Sequence, residues 1–280
     1  MNKSTNSIDI SIVSTFNEDT FLEEMLASIF QMGNFKAELI LVNAQEGKTL
    51  KRFLENQKIP QNWKIQLIEE KDNSMYEGIA KGFKVAKGDI VSYLNIDDQF
   101  QNNALSLVCD IFKQMPHVQW IVGKTNHINV KAQNIFTGKC IRFVPSFIRS
   151  GIYGSFLPFI HQESTFFRRE LLETIDLEKF AGFKFAGDFF LWFHFSKKTK
   201  LYSVNSIFSA SRRHAFQKST LNKAAYYKEF RQIKKGFPIY LFPKLLWEIF
   251  CVYLIPFGIL RRLYPGYFIH YSFDENKWDV

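Results

Sequence analysis

The 280-residue sequence predicts an α/β fold: a Rossmann-like, mostly parallel central sheet flanked by helices, followed by a C-terminal amphipathic helical tail. Three observations carry this. Residues 9–42 read as strand, helix and strand. A short buried strand ends at two adjacent carboxylates, Asp97 and Asp98. Apolar residues then crowd the chain after residue 236 without forming one long uninterrupted run.

Asp9 to Thr15 is the first strand, and Asp19 or Thr20 is the expected N-cap of a helix carrying Phe21, Leu22, Met25, Leu26, Ile29 and Phe30. Glu38 to Val42 is the second strand, which makes a right-handed parallel βαβ unit. Neither strand is followed by G-x-G-x-x-G, which argues against a dinucleotide-binding domain. Asn43 to Thr49 fails as a phosphate loop, because Val42 stands where the first glycine is required. Leu50 to Asn56 reads as helix, Pro60 as a break and Trp63 to Ile68 as a third strand.

Met75, Ile79, Phe83 and Ala86 then recur at helical spacing, with Gly88 suited to the left-handed position past the end. Ile90 to Leu94 has the continuous apolar character of a parallel strand buried on both faces. Asp97 and Asp98 follow its carboxyl end, where open α/β sheets bind ligands. As oxygen donors they suit Mg²⁺ or Mn²⁺ bridging to phosphate; the competing reading is a solvated turn that caps the next helix. Gln101 to Met115 is helical, Pro116 ends it, Trp120 to Gly123 is a strand, and Lys124 to Ser155 reads as a hairpin and loops.

Asp188 lies in the apolar run Phe185 to Phe193, and a buried carboxylate needs a partner. It reads as the N-cap of a helix over Phe189–Ser196, as a general base facing a cleft, or as both. Ser209 to Thr220 reads either as a basic surface loop or as a site supplying Arg213, His214 and Lys218 to an anion. Cys109, Cys140 and Cys251 match no zinc or redox spacing, so a reducing cytosol is expected. The first residues, MNKSTNSIDISIV, contain no long apolar stretch and are not expected to act as a secretory signal.

Charge and aromatics are unevenly placed. The net charge is +9, and between Lys200 and His270 twelve Lys/Arg face only Glu229 and Glu248. Aromatics reach 17%, with 31 Phe. The longest uncharged stretch of the tail, Ile249 to Leu260, is 12 residues and contains Pro256. A spanning helix needs about 20 apolar residues, so the tail is expected to lie in an anionic membrane surface; a core helix packed on the preceding domain or on a partner is the alternative. Lys234, Lys235, Lys244, Arg261 and Arg262 bracket it, with Trp247, Tyr253 and Tyr264 at headgroup level. Nucleic acid is not expected, because these bases flank aliphatic runs rather than a polar groove.

Glu69 to Phe100 resembles family 2 glycosyltransferases of the GT-A fold, whose pattern here is close to E-x-D-x-G-x-x-D-A-x-N-x-G, then G-D, then L-N-x-D-D. Glu70, Asp72, Tyr76, Lys81, Gly82, Ala86, Gly88, Asp89, Leu94, Asn95, Asp97 and Asp98 match; Ser74, Glu77 and Ala80 depart. The resemblance extends over residues 8–220. Ser14-Thr15-Phe16-Asn17 is similar to the T-Y/F-N opening of the nucleotide pocket, and Asn43 stands where an Asp usually meets the pyrimidine. Phe159 to Arg169 is similar to the strand beneath the donor sugar, Asp188 to the Asp of D-x-x-L-W, and Ser209 to Thr220 to R-x-H-x-x-x-x-S.

The resemblance implies an inverting, metal-dependent glycosyltransferase. Its donor would be a nucleotide-diphosphate sugar, a UDP-sugar first, and its acceptor a saccharide hydroxyl. Donor contacts would be Thr15, Asn17, Glu18, Asn43, Asp72, Lys81, Asp97, His161, Gln162, Arg213 and Lys218. Asp98 would hold Mn²⁺ or Mg²⁺, with Asp97 and His214 as further candidates, and Asp188 would be the base. The expected catalytic domain is residues 1–235, its nucleotide half about 8–100 and its acceptor half about 101–235. Residues 236–280 form the membrane-associating tail. A lipid-linked acceptor on the cytoplasmic face of the cell membrane, as in O-antigen or capsule-like surface polysaccharide assembly, follows as the expected setting. Two alternatives stand beside it: a nucleotidyltransferase, and a non-catalytic membrane-bound scaffold on a degenerate GT-A fold, for which Asn43, Ser74 and Ala80 speak.

Overall fold

The computed structural model describes residues 7–16, 20–43, 50, 54–55, 57–214 and 222–280. Four parallel strands form its nucleotide side: β1 (Ile10–Phe16), β2 (Ala37–Asn43), β3 (Trp63–Glu69) and β4 (Ile90–Tyr93), in the order β3-β2-β1-β4. Every residue of β2 and β4 is buried, as strands covered on both faces require. Helix α1 (Leu22–Ile29) and helix α3 (Ala104–Gln114) share one core with Ile10, Ile12, Leu39 and Leu41; helix α2 (Met75–Val85) shares the other with Val13, Ile40 and Val42. The period of two along each strand thus divides its side chains between the two layers. Gly82 sits where a Cβ would come within 2.3 Å of Val13, so α2 can approach β1 only without a side chain there.

Beyond β4 the sheet becomes mixed. β6 (Trp120–Ile128) and β8 (Thr165–Arg168) are antiparallel to each other, β8 is antiparallel to β4, and β9 (Tyr202–Arg212) runs parallel to β6. Short β5 (Gln99–Phe100) pairs with β9, and β7 (Asn134–Thr137) pairs with β6. β6 therefore extends five residues past the Trp120–Gly123 segment that the sequence marks, turning into a hairpin with β7. Among the described residues no side chain caps α1: Phe21 is its N-cap residue, so Thr20 does not fill that role, and Asp19 lies outside the described residues. α2, in contrast, is capped by Ser74, whose hydroxyl accepts from the Glu77 amide at 3.1 Å, while Glu77 accepts from the Asn73 amide at 2.8 Å. Serine and glutamate three apart make a variant of the capping box.

Helices α4 (Pro145–Arg149), α5 (Leu177–Ala181), α6 (Gly187–Lys198) and α7 (Lys223–Ile233) cover the second half. The tail contributes α8 (Phe242–Leu254) and α9 (Phe257–Leu263), separated at Pro256. It ends not in helix but in β10 (Phe268–Ser272), which pairs in parallel with the start of β9, and β11 (Lys277–Asp279). α8 buries Leu245, Glu248, Cys251 and Val252, and leaves Leu246, Trp247, Phe250, Tyr253 and Leu254 exposed. Among the described residues no helix is long and apolar enough to cross a membrane.

One buried ion pair fastens the tail. Glu248, 1% exposed, pairs with the Arg142 guanidinium, which also stacks 3.4 Å from the Tyr264 ring. Removing one member of such a pair strands the other charge out of water. Glu248→Ala is expected to destabilise the fold by about 3–5 kcal/mol, measured by urea unfolding. Arg142→Met with Glu248→Met together should cost much less.

Candidate active site

The site is built where strands end. Thr15, next to last in β1, and Asp72 converge on Gly78 at the start of α2: a Cβ there would lie 2.7 Å from the Thr15 methyl and 2.8 Å from Asp72 Oδ2. Asn43 ends β2, buried, and its carbonyl accepts from the Glu70 amide at 3.2 Å. Lys81 braces the same loop by donating to the Lys71 carbonyl at 2.8 Å and pairing with Glu70 at 3.5 Å. Asn17, Glu18 and Lys218 lie outside the described residues.

The turn after β4 carries Asp97 and Asp98, and the two differ. Asp98 is 3% exposed, and its Oδ1 accepts from the Arg212 amide at 3.1 Å. Burial, then the neighbouring Asp97 and Glu163, push its pKa well above the usual carboxylate range. Asp97 is more open, and its Oδ2 lies 3.1 Å from His214 Nε2. His214 stands just past β9, so the chain brings an imidazole from residue 214 to a carboxylate from residue 97. Among the described residues there is no group of three or more His, Cys, Asp or Glu suited to a metal ion. Asp97 and His214 bring one oxygen and one nitrogen together, donor types that Mn²⁺ accepts.

Arg212, rather than Arg213, turns inward. It is fully buried, donates Nε to the Asp97 carbonyl at 3.1 Å, and reaches Glu24 at 2.5 Å and the Val130 carbonyl at 3.0 Å. Arg213 is exposed and donates Nε to His127 Nδ1 at 3.2 Å. Arg212 is the last residue of β9, whose final five residues are all buried, and Arg213 stands just past the strand.

Asp188 lies in the first turn of α6 but is not its N-cap; that residue is Ala186, without a side-chain bond. Glu229 of α7 holds the chain just before the helix, accepting from the amides of Lys184, Phe185 and Ala186 at 2.9–3.0 Å. Asp188 faces a small aromatic pocket lined by Phe159, Ile160, Phe189, Trp192 and Tyr226. Its Oδ1 accepts from the Phe189 amide at 2.7 Å. The Tyr76 hydroxyl, which donates to the Phe185 carbonyl at 3.1 Å, lies beside the carboxylate and lowers its pKa. Gly187 permits this, because a Cβ there would meet the Tyr76 ring at 2.5 Å. Burial pushes the Asp188 pKa up to about 7, with Glu163 adding to the rise and the Phe189 amide and Tyr76 opposing it.

His161 and Gln162 lead into β8. His161 Nδ1 is 3.2 Å from Glu163 Oε1, and both polar atoms of the Gln162 amide are buried without a hydrogen-bond partner among the described residues. Against its own burial, His161 and then His127 hold Glu163 below the usual glutamate range. Glu163 raises the pKa of both Asp98 and Asp188, so its charge acts on both carboxylate sites. Sequence reading had passed over Glu163, Arg212, Glu229 and the role of Tyr76. Tyr76 and Arg212 both stand at motif positions; Glu163 and Glu229 carry no local signal.

Residues 11–176 match the family described as Glycosyl transferase family 2, and the chain belongs to that family. The structure resembles crystal structures of S. aureus TarS (14% identity, TM-score 0.56, covering 81% of this chain) and of a TarS fragment in complex with UDP-GlcNAc (12%, 0.55, 81%). It also resembles the mannosyltransferase PcManGT from Pyrobaculum calidifontis in complex with GDP-Man and Mn²⁺ (15%, 0.53, 91%). These share the GT-A fold. The chain spans 39% of TarS, 65% of the fragment and 73% of PcManGT. No curated protein matches it.

The Asp188 shift has a consequence for stability. Ionising a carboxylate whose folded pKa is raised disfavours the fold, so its contribution is complete below about pH 4 and is lost as pH rises through 7. Asp188→Asn, which cannot ionise, is expected to raise the melting temperature over wild type at about pH 8.5 and to leave it unchanged near pH 4. Equal shifts at both values would show that Asp188 titrates normally.

Proposed function

We propose that the protein transfers a sugar, with inversion, from a UDP-sugar to a hydroxyl of a lipid-linked saccharide acceptor in surface polysaccharide assembly. One observation carries the reading: a carboxylate with its pKa raised to about 7, Asp188, held in an aromatic pocket by the Phe189 amide and Tyr76. A general base works best when its pKa lies near the working pH. The acceptor hydroxyl gives its proton to Asp188 as its oxygen attacks the anomeric carbon. The bond to the diphosphate breaks on the opposite face, and its electron pair leaves with the nucleoside diphosphate.

On the donor side, Thr15, Asn43 and Asp72 receive the nucleoside, and His161 and Gln162 the sugar; the two orphan atoms of the Gln162 amide are the support for that role. Asp98, whose Oδ1 accepts from the Arg212 amide, is the proposed metal ligand, with Asp97 and His214 as further donors beside it. The metal, when bound, neutralises charge gathering on the leaving diphosphate. TarS in complex with UDP and UDP-GlcNAc, and PcManGT with GDP-Man and Mn²⁺, support this choice of donor and metal. The scaffold alternative drew partly on Ser74 and Ala80. Ser74 caps α2 and Ala80 is buried in the core, so structural roles account for both departures.

The exposed side of α8 and α9, with Leu246, Trp247, Phe250, Leu254 and Leu263 beside Arg261 and Arg262, is the proposed seat on the cytoplasmic membrane face. This places residues 1–235 as the catalytic domain and 236–280 as its membrane-associating part.

Release of nucleoside diphosphate from a panel of nucleotide sugars tests the reaction. Wild type is expected to turn over a UDP-sugar, to stop with EDTA and to recover with Mn²⁺. Its rate should rise with pH through about 7, and Asp188→Asn should be slower by about 10²–10⁴-fold. A rate independent of Asp188 would reject the assignment. For the tail, sedimentation with phosphatidylglycerol vesicles should fall sharply in Leu246→Ser with Phe250→Ser, and with added salt.

A further inference from the structure

We infer that an elongated cavity beside the catalytic pocket is a second acceptor subsite, which takes a phosphoryl group and the first carbons of a lipid chain. The inference rests on the reading of Asp188 as the base on the acceptor side. The cavity has a volume of about 290 Å³ and is walled by β6, by the β7 hairpin arm and by residues 158–161. Along β6 it runs from Val122 to His127, roughly 16 Å at about 3.3 Å per residue. A compact sugar does not need that length; a chain does.

The cavity adjoins two parts of the protein. At one end Phe159 lines both the cavity and the Asp188 pocket, and His161 and His127 stand beside it with rings 5.1 Å apart. Along its length Lys139 donates to the Val252 carbonyl of α8 at 3.3 Å and lies 5.5 Å over the exposed Tyr253 ring. The cavity therefore adjoins the Asp188 pocket through Phe159 and α8 through Lys139.

The lining has the chemistry of an anionic amphiphile. Val122, Ile141, Phe143 and Phe136 supply apolar wall, Phe136 stacking 4.1 Å from His127. Lys124 is half-buried on the lining, and among the described residues its ammonium meets no carboxylate. His127 accepts from Arg213 on Nδ1, which leaves the proton on Nε2 as a donor. Two unspent donors in a mostly apolar channel match one phosphoryl group followed by hydrocarbon.

Equilibrium binding of decyl phosphate to the full chain, below its micellar concentration, tests the subsite, with decyl glucoside and inorganic phosphate as comparison probes. Wild type is expected to bind decyl phosphate more tightly than either. Lys124→Met should weaken it about tenfold, and Lys124→Arg should restore it, the order of one charge-assisted contact. Decyl glucoside should bind Lys124→Met and wild type alike. Equal decyl phosphate affinity in wild type and Lys124→Met, each folded by circular dichroism, would overturn the subsite, as would equal affinity for the two amphiphiles in wild type. Donor turnover by wild type, measured separately, reports on the transferase reading alone.

Discussion

The arrangement depends on one buried cation. Arg212 carries its guanidinium into the protein interior, where an unpaired charge would be prohibitive, and every direction it points is answered. It meets the Asp97 carbonyl after β4, the Asn129 and Val130 carbonyls at the β6–β7 turn, and Glu24 of α1, with the Phe21 ring 4.3 Å away. Its backbone amide serves Asp98. Arg212 thus ties α1, the turn after β4 and the β6–β7 turn together at one side chain. The Asp97–Asp98 turn hangs on that side chain, and Asp97 reaches His214 two residues beyond it in sequence.

A related economy surrounds Asp188, the proposed base. The α6 N-terminus needs acceptors for its free amides, and Asp188 takes one of them, that of Phe189. Glu229 reaches across from α7 to the amides just before the helix, those of Lys184, Phe185 and Ala186. Burial raises a carboxylate pKa, and it does so at Asp188. Two acids 41 residues apart thus hold the entry to one helix. The high phenylalanine content has a place here: Phe159 and Phe189, with Tyr226, line the pocket, and Phe230 packs behind Phe189 with rings 4.1 Å apart.

Periodicity alone disclosed the parallel half of the sheet, because β1, β2 and β4 are short apolar runs bounded by turn residues. It also placed α2, whose buried face recurs at helical spacing. The mixed half was less legible. β6 continues through Lys124, Thr125, Asn126 and His127, polar residues that break the apolar signal yet are held by pairing on both sides to β7 and β9. The Asp97, Asp98 and Asp188 positions stood out because carboxylates follow or interrupt apolar sequence. Glu163, Arg212 and Glu229 did not, since their partners lie at least 43 residues away, or, for Glu163, at residues whose packing decides the field. Ser74 and Glu77 looked like losses against the family pattern and prove to be a helix cap, a local signal readable only once the helix start is known.

The tail makes the last step. A membrane seat joined by a flexible linker would let the site tumble relative to the lipid surface. Here Leu245 and Val252 belong to the same core as β4 and α6, and the chain returns to add β10 to the start of β9. β9 then runs eleven residues to Arg212. One strand therefore carries the tail at its beginning and the buried arginine that fixes the carboxylate turn at its end. β6, its parallel neighbour, forms a long wall of the cavity between them. In such a frame the exposed face of α8 and the Asp188 pocket hold fixed places relative to each other. Under the proposed function an acceptor would be measured along the sheet, because it would have to reach Asp188 from the surface on which α8 is proposed to rest.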